Sequence, residues 1–294
     1  MRFSLFTRTG DYEDWIPIVQ AAEDAGFDSF SIPDSVFYPK QTDSDYPYNE
    51  TEAIRSYIEH TPFIEPLVAF AWLSAHTKKL RFFPNVMKAA SRTPLLYAKQ
   101  ISSLAVVSDN RFILGAGIGP WEEDFRYNGL EWSRRGSLLD EVIECLRGLM
   151  SGDFFAYQGR THTFGPVKIN PVPSKPVPII VGGHSKPALR RAARIGDGWT
   201  AVDVDFAALR DIVKELNDLR TEFGTDAKPF DIYVRQSDFR TGRQTVNPLD
   251  EYRRMEELGA THYVWVPYND NSLTVGQKVD VIKRFGDEVI CKIG

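Results

Sequence analysis

The chain has 294 residues, of which 43% are hydrophobic and 26% are charged, the composition of an ordinary globular protein. The formal net charge of −5 does not favour a nucleic-acid groove, and no apolar run is long enough to span a bilayer. We therefore expect neither nucleic-acid nor membrane partners. Cys145 and Cys291 form no CxxC pair, and the N-terminal residues MRFSLF resemble a strand rather than a signal peptide. These features predict a cytoplasmic, soluble protein with free thiols.

Short apolar runs alternate with amphipathic segments along the whole chain. The predicted strands are residues 2–6, 27–32, 80–86, 111–116, 178–181, 199–202, 230–235 and 261–266. The predicted helices are residues 12–25, 64–76, 94–107, 133–150, 186–195, 206–223, 249–258 and 275–285. This α/β alternation indicates a parallel sheet, and eight repeats in this length fit a closed (β/α)8 TIM barrel. No linker divides the chain, so we predict one domain over residues 1–294.

Two long segments interrupt the repeat, after strands 2 and 4. Residues 36–62 mix aromatic, acidic and proline residues without clear periodicity, and part of this segment near 52–59 is predicted to be helical. Loops of this length are often functional, so we interpret it as an active-site cover, with surface decoration as the alternative. Residues 121–132, after strand 4, form a polar, aromatic loop. Beyond the helix that follows, residues 151–175 form a loop or hairpin.

The fifth repeat carries the strongest local signal for a ligand. A buried strand at residues 178–181 leads into Gly182 and Gly183, and Ser185 is a good N-cap for the helix that follows. Backbone N–H groups and the helix dipole at such a turn bind phosphate well. The alternative is a plain strand-to-helix turn without a ligand.

The sequence GAGIG at residues 115–119 imitates a dinucleotide-binding fingerprint. A helix does not follow directly, so we do not favour a Rossmann interpretation. Glycines at this strand end leave room for a planar ring, and close packing at the barrel rim is the alternative. No HExxH motif, cysteine pair or carboxylate cluster indicates a metal, and no GxSxG elbow indicates a hydrolase.

Four stretches together resemble the luciferase-like monooxygenase superfamily, and more narrowly its coenzyme F420-dependent oxidoreductases. They are AAEDAGFDSFSIPDS (21–35), RTPLLYAKQISSLAVVSDNRFILGAGIG (92–119), RRGSLLDEVIECLRGL (134–149) and PVPIIVGGHSKPALRRAARIGDGW (176–199). The resemblance implies a barrel, often homodimeric, with a flavin or deazaflavin across its mouth. The cofactor-binding residues that it implies are Asn85, Val86, Gly117, Gly119, Gly182, Gly183, His184 and Ser185. It also implies that Asn85 and Val86 form a bulge, often with a cis peptide, against the central ring.

Three positions depart from the family pattern, of which Asn110, in place of the usual glycine before strand 4, is a mild change. Ser35 follows Asp34 where many F420-dependent members have a histidine, and Pro120 stands near the glutamate of one sugar-phosphate dehydrogenase group. The proton donor is therefore open among Asp34, Tyr38 and His60. The expected reaction is hydride transfer between C5 of F420 and a small organic substrate, with Tyr46, Tyr48 and Trp121 as pocket walls.

Two other functions compete with this interpretation. One is an FMN-dependent monooxygenase supplied by a separate reductase. The other is a barrel that binds a flavin or phosphate ligand without turnover. A basic track leading away from Gly182 would favour F420 because that cofactor has an acidic tail, and the candidates for it are Arg134, Arg135, Lys186 and Arg190.

Overall fold

Parallel strand pairing organises the structure, a computed structural model that describes residues 1–7, 9–41, 52–235, 248–267 and 273–293. The strands are β1 (Arg2–Phe6), β2 (Ser29–Ile32), β3 (Arg81–Pro84), β4 (Met87–Lys88), β5 (Leu114–Gly117), β6 (Phe155–Gln158), β7 (Thr163–Val167), β8 (Ile179–Gly182), β9 (Gly198–Val202), β10 (Asp231–Arg235) and β11 (His262–Trp265). The helices are α1 (Trp15–Asp24), α2 (Glu52–His60), α3 (Pro66–Ser74), α4 (Pro94–Val107), α5 (Glu123–Arg126), α6 (Arg135–Leu149), α7 (Lys186–Ile195), α8 (Phe206–Phe223), α9 (Pro248–Glu257), α10 (Val275–Phe285) and α11 (Cys291–Ile293).

The large sheet closes on itself as a barrel. Its strand order is β3-β2-β1-β11-β10-β9-β8-β5-β4, and all of its pairs are parallel. β3 and β4 are two pieces of one barrel strand, because β3 pairs with β2 whereas β4 pairs with β5. A parallel bridge between Phe82 of β3 and Phe112, two residues before β5, closes the ring. The predicted (β/α)8 TIM barrel is therefore confirmed.

The predicted third strand is interrupted in its last part. Residues 80–86 were expected to form one strand, but pairing stops after Pro84 and resumes at Met87. The peptide bond between Asn85 and Val86 in this gap is cis, as the family resemblance implied. β6 and β7 form a separate antiparallel hairpin within the predicted segment 151–175. The expectation of a single domain over residues 1–294 stays a prediction.

Two apolar layers support the barrel. The inner layer consists of alternate strand residues that meet inside the barrel, namely Phe6, Phe83, Ile113, Ile180, Tyr233 and Val264. The larger outer layer lies between the barrel and its helices. Glycines make room for the large inner side chains: a Cβ at Gly115 would lie 2.8 Å from the Phe83 ring, and one at Gly198 would lie 2.6 Å from Ile180. Large and small residues thus complement each other, as close packing requires.

Charged groups close the N-terminal end of the barrel. Arg81 pairs with Asp28, and Arg2 pairs with Asp231 at 2.9 Å. The buried His262 ring stacks on Tyr233 with centroids 3.9 Å apart. This end of such a barrel contributes stability rather than catalysis. In the described part of the chain, no helix is both long enough and apolar enough to cross a membrane.

Glu23 near the end of α1 fixes the turn that precedes β3. Its carboxylate accepts hydrogen bonds from the backbone N–H groups of Lys78 and Leu80, each at 2.8 Å, and from Lys79. Burial raises the pKa of Glu23, but these N–H groups outweigh it and the pKa ends below its ordinary value of 4.5. The ionised carboxylate therefore stabilises the fold.

We predict that the acid sensitivity of folding depends partly on Glu23. A folded-state pKa below the unfolded value means that the stabilisation is present above about pH 4.5 and is lost as the pH falls through the folded-state pKa. The Glu23→Gln variant should have a smaller free energy of unfolding at pH 7 and a flatter decline in acid. Urea unfolding at a series of pH values from about 7 to about 3, which spans the titration of carboxylates, measures the free energy of unfolding and its decline in acid. Parallel pH profiles for the variant and the wild type would contradict the prediction.

Candidate functional site

Three neighbouring strand ends form one side of the barrel mouth. The Val86 side chain lies against Gly117 at the end of β5 and Gly182 at the end of β8. A Cβ at Gly117 would lie 2.6 Å from Val86 Cγ2, and one at Gly182 would lie 3.2 Å from Val86 Cγ1. The missing side chains therefore allow the Asn85–Val86 bulge to sit at the mouth with a half-buried apolar surface.

The turn between β8 and α7 has the geometry of an anion site. Gly183 has a φ of 128°, which an L-residue with a side chain rarely adopts, and its carbonyl accepts a hydrogen bond from Trp199 Nε1 at 2.7 Å. Ser185 is the N-cap of α7, but its hydroxyl makes no capping bond. The Ser185 hydroxyl and the N-terminal N–H groups of the ten-residue helix α7 are therefore both placed to bind an anion.

His184 lies beside the indole of Trp199, with ring centroids 6.4 Å apart in an edge-to-face arrangement. Partial burial lowers the pKa of His184, while the carboxylate of Asp203 acts in the opposite direction. A lowered pKa makes the neutral imidazole the main form at pH 7. At this turn the backbone N–H groups of the α7 N-terminus and the side chain of Lys186 are therefore positive, whereas His184 is neutral.

A buried ion pair lies under the rim glycine Gly119. Lys88 Nζ is 2.8 Å from Asp124 Oδ2, and the two side chains are 5% and 1% exposed. A Cβ at Gly119 would lie 3.5 Å from Asp124 Oδ2 and 3.6 Å from Lys88 Cβ. Burial raises the pKa of Asp124, and Lys88 opposes that rise. This pair attaches the segment after β5 to the strand that carries the bulge.

Asp34 occupies the end of β2 and is held by two neighbours. Its carboxylate, 1% exposed, accepts hydrogen bonds from Arg92 Nη2 at 2.9 Å and from the Lys88 N–H at 2.9 Å. Arg92 also contacts Glu65, at 3.3 Å. These contacts fit a carboxylate that positions the bulge, and the role of Asp34 as proton donor stays a prediction.

The segments after β2 and after β5 meet beside the mouth. Tyr38 contacts Trp121 edge-to-face with centroids 6.4 Å apart, and Phe37 lies 5.6 Å from Tyr127. Tyr38 is half-buried and Trp121 is 1% exposed. These two contacts join the segments after β2 and after β5 into one wall of the barrel mouth.

The remaining predicted residues of the segment after β2 are placed differently. The exposed His60 closes α2, and its Nδ1 lies 2.8 Å from the Ser56 carbonyl oxygen of the same helix. The structure thus does not bring His60 together with the bulge through any described contact. Tyr46 and Tyr48 lie outside the described residues.

The proposed basic track beside the phosphate turn is largely engaged elsewhere. Arg190 pairs with Glu222 at 2.8 Å on the surface, and Arg134 lies 3.5 Å from Glu141. Arg135 stacks on the Trp132 ring at 4.2 Å. Arg190 is an exposed surface charge, whereas the pair of Arg134 with Glu141 is largely buried. Lys186, the fourth candidate, is exposed at the start of α7. Three of the four candidates therefore have local partners, and the track does not decide between F420 and FMN.

The mouth fits a planar ring that carries a phosphate. Val86 offers an apolar surface beside two glycines, the Asn85 Nδ2 group is buried with no acceptor among the described residues, and the β8–α7 turn offers backbone donors. Over the described ranges, no group of three or more His, Cys, Asp or Glu side chains could hold a metal ion. The eight predicted cofactor residues lie on β4, β5, β8 and the adjoining turns, which are neighbours in the barrel.

Sequence reasoning missed the supporting residues Lys88, Arg92, Asp124 and Trp199. Lys88 was placed just beyond the predicted third strand with no partner assigned, Trp199 was assigned only to a strand, and Arg92 only to a helix start. Their partners lie far away in the chain. Lys88 and Asp124, for example, are 36 positions apart. A charged residue inside an apolar strand such as β4 was the available signal, since a buried charge needs a partner.

Comparisons with known proteins identify the family of the chain. The family model of the luciferase-like monooxygenases matches residues 1–243. The uncharacterized protein Rv0940c of Mycobacterium tuberculosis is 39% identical over 298 residues, covering 100% of both chains. An F420-dependent glucose-6-phosphate dehydrogenase of Gordonia bronchialis is 28% identical over 198 residues, covering 64% of this chain and 52% of the relative.

A solved structure gives the same result for the fold. An F420-dependent secondary alcohol dehydrogenase in complex with an F420-acetone adduct superposes with a TM-score of 0.77 at 17% identity, covering 100% of this chain and 99% of that one. The sequence match and the barrel together place the chain in a family of mostly oxidoreductases and monooxygenases. The chain belongs to the luciferase-like monooxygenase family.

Proposed function

We propose that this protein is a coenzyme F420-dependent oxidoreductase that transfers a hydride between the deazaflavin and a small organic substrate. The observation that carries the proposal is the contact of the Asn85–Val86 bulge with Gly117 and Gly182, which leaves an apolar surface for a flat ring. The F420-dependent sequence relative favours the deazaflavin over FMN. When bound, F420 supplies the hydride from C5, and the chain's residues orient it and exclude water.

The phosphate turn would hold the other end of the cofactor. Gly183 allows close approach of the backbone, and Ser185 offers a hydroxyl that the helix does not use. Tyr38 is our first candidate for the proton donor because it is half-buried at the wall of the mouth. Asp34 and His60 are less favoured alternatives. The Asp34 carboxylate is held by Arg92, and the His60 ring contacts the backbone of its own helix.

FMN is the second candidate cofactor, favoured by one observation. Arg134, Arg135 and Arg190, three of the four cations beside the phosphate turn, are engaged with local partners, which makes the acidic tail of F420 less well matched than a single phosphate. An FMN-dependent monooxygenase would use the same bulge and the same phosphate turn. A barrel without turnover is the remaining possibility.

Titration of the purified protein with F420 and, separately, with FMN tests the choice of cofactor. We expect saturable quenching of F420 fluorescence because the bulge and phosphate turn would bind the deazaflavin. Tight binding of FMN without a response to F420 would contradict the proposal and favour the monooxygenase. No response to either cofactor would favour a barrel that uses neither.

The Ser185 hydroxyl should matter for the cofactor and not for the fold. Because it makes no capping bond, Ser185→Ala should leave the unfolding midpoint unchanged while weakening cofactor binding by about tenfold, the effect of one hydrogen bond to a charged group. Thr274→Ala is the matched control, since Thr274 forms a full capping box on α10. That variant should lose about 1 kcal/mol of stability and retain cofactor affinity. Equal affinities of Ser185→Ala and wild type would remove Ser185 from the site.

We also propose a homodimer through the outer face of α3 and α4. Val68 and Trp72 on α3 are 65% and 40% exposed, and Leu96 and Val107 on α4 are 60% and 66% exposed. The nine residues of α3 include no charged residue, so two copies can meet there without like-charge repulsion.

We also propose a cytoplasmic location, which is supported by the two cysteines of the chain that form no disulfide.

The oligomeric state in solution tests the dimer. Wild-type protein should elute with the mass of two chains in light scattering, and Leu96→Glu should be monomeric because it buries a charge in the interface. Val275→Glu, at a residue that is 37% exposed on α10, is the control and should stay dimeric. A monomeric wild type would refute the proposed dimer.

A further inference from the structure

The tryptophan of β9 holds the turn between β8 and α7 through its indole N–H group. Trp199 Nε1 donates to the Gly183 carbonyl oxygen at 2.7 Å, and the indole is fully buried in the outer apolar layer. The Gly183 N–H donates in turn to the Thr200 carbonyl oxygen at 3.2 Å. Both backbone polar groups of Gly183 are therefore bound by β9, which fixes the turn relative to this strand.

The indole hydrogen bond also sets the direction of the next backbone N–H group. The peptide bond between Gly183 and His184 is trans, and in a planar trans peptide the C=O and N–H groups point in opposite directions. Because the Gly183 carbonyl points into the outer layer towards Trp199, the His184 N–H points away from that layer. It therefore faces the open side of the turn, where His184 and Ser185 are exposed.

Consecutive residues at the start of α7 offer donors for an anion. Within the described ranges, the backbone N–H groups of His184 and Ser185 donate to no backbone acceptor, and the Ser185 hydroxyl makes no capping bond. Lys186, the first helical residue, adds an exposed cation. The direction of the His184 N–H thus decides whether it joins the other donors at one phosphate group.

We propose that Trp199 is a positioning residue for the phosphate group of the bound cofactor and acts through the Gly183 carbonyl. This inference rests on the proposed function for the presence of a phosphate-bearing ligand at the turn. Without the indole N–H, nothing in the outer layer would hold the Gly183–His184 peptide in the orientation that presents its N–H to the ligand. Donors that are oriented in advance bind more tightly because less ordering is needed on binding. Trp199 thus raises the affinity for phosphate without touching the ligand.

The test compares wild type with Trp199→Phe, which keeps an aromatic ring and loses the N–H donor. Fluorescence titration measures the affinity for F420 and for its deazaflavin chromophore without phosphate and tail, and likewise for FMN and riboflavin. We expect Trp199→Phe to bind the phosphate-bearing cofactor about fivefold to tenfold more weakly, the effect of one hydrogen bond. The phosphate-free partner compound should bind to the variant and to wild type equally.

Trp15→Phe is the matched control. Trp15 is also fully buried, and its Nε1 has no acceptor in the part of the chain that the structure describes. This variant should lose thermal stability as Trp199→Phe does, while it keeps the wild-type affinity for every compound. If Trp199→Phe does not fold, benzothienylalanine at residue 199 takes its place, because it preserves the shape of the indole and has sulfur instead of the N–H group.

An equal loss of affinity for the phosphate-bearing and phosphate-free compounds would make Trp199 a purely structural residue and overturn the inference. Unchanged affinities on removal of the Trp199 N–H, a selective loss in Trp15→Phe, or no phosphate-dependent binding to wild type would also overturn it. Wild-type binding of FMN without F420, with a loss in Trp199→Phe for FMN and none for riboflavin, would overturn the proposed cofactor and leave the role of Trp199.

Discussion

The approach of the third barrel strand to the glycines of β5 and β8 is the constraint on which the site depends. Gly115 lies against Pro84, and Gly117 and Gly182 lie against Val86. A side chain at any of these positions would push the bulge away from its neighbours or into the mouth. The same three positions therefore allow the barrel to close and create the apolar surface for a ring.

Two buried ion pairs hold this bulge from behind. Asp34 binds both Arg92 and the backbone of Lys88, and the Lys88 side chain binds Asp124. Buried pairs add little net stability, but removal of one partner leaves an uncompensated charge in the interior. The pairs thus connect β2, the bulge strand and the segment after β5, so that the position of Val86 depends on three separate parts of the chain.

The mouth combines sides of different chemistry. The bulge side is apolar, the β8–α7 turn offers backbone donors, and β10 presents a guanidinium. Tyr38 and Trp121 bring the two insertions together beside them. Different strands and loops of the barrel thus build the apolar, the hydrogen-bonding and the charged parts of the mouth.

The sequence by itself determined the eight strand–helix repeats, since hydrophobic periodicity and glycine stops are local properties. The order of those repeats also located the Gly182–Ser185 turn and the strand end at Asn85–Val86. Only the tertiary structure decided that Asp34 meets Arg92, that Lys88 meets Asp124 and that Tyr38 meets Trp121. These contacts join residues far apart in the chain, and barrel closure rather than local propensity brings them together.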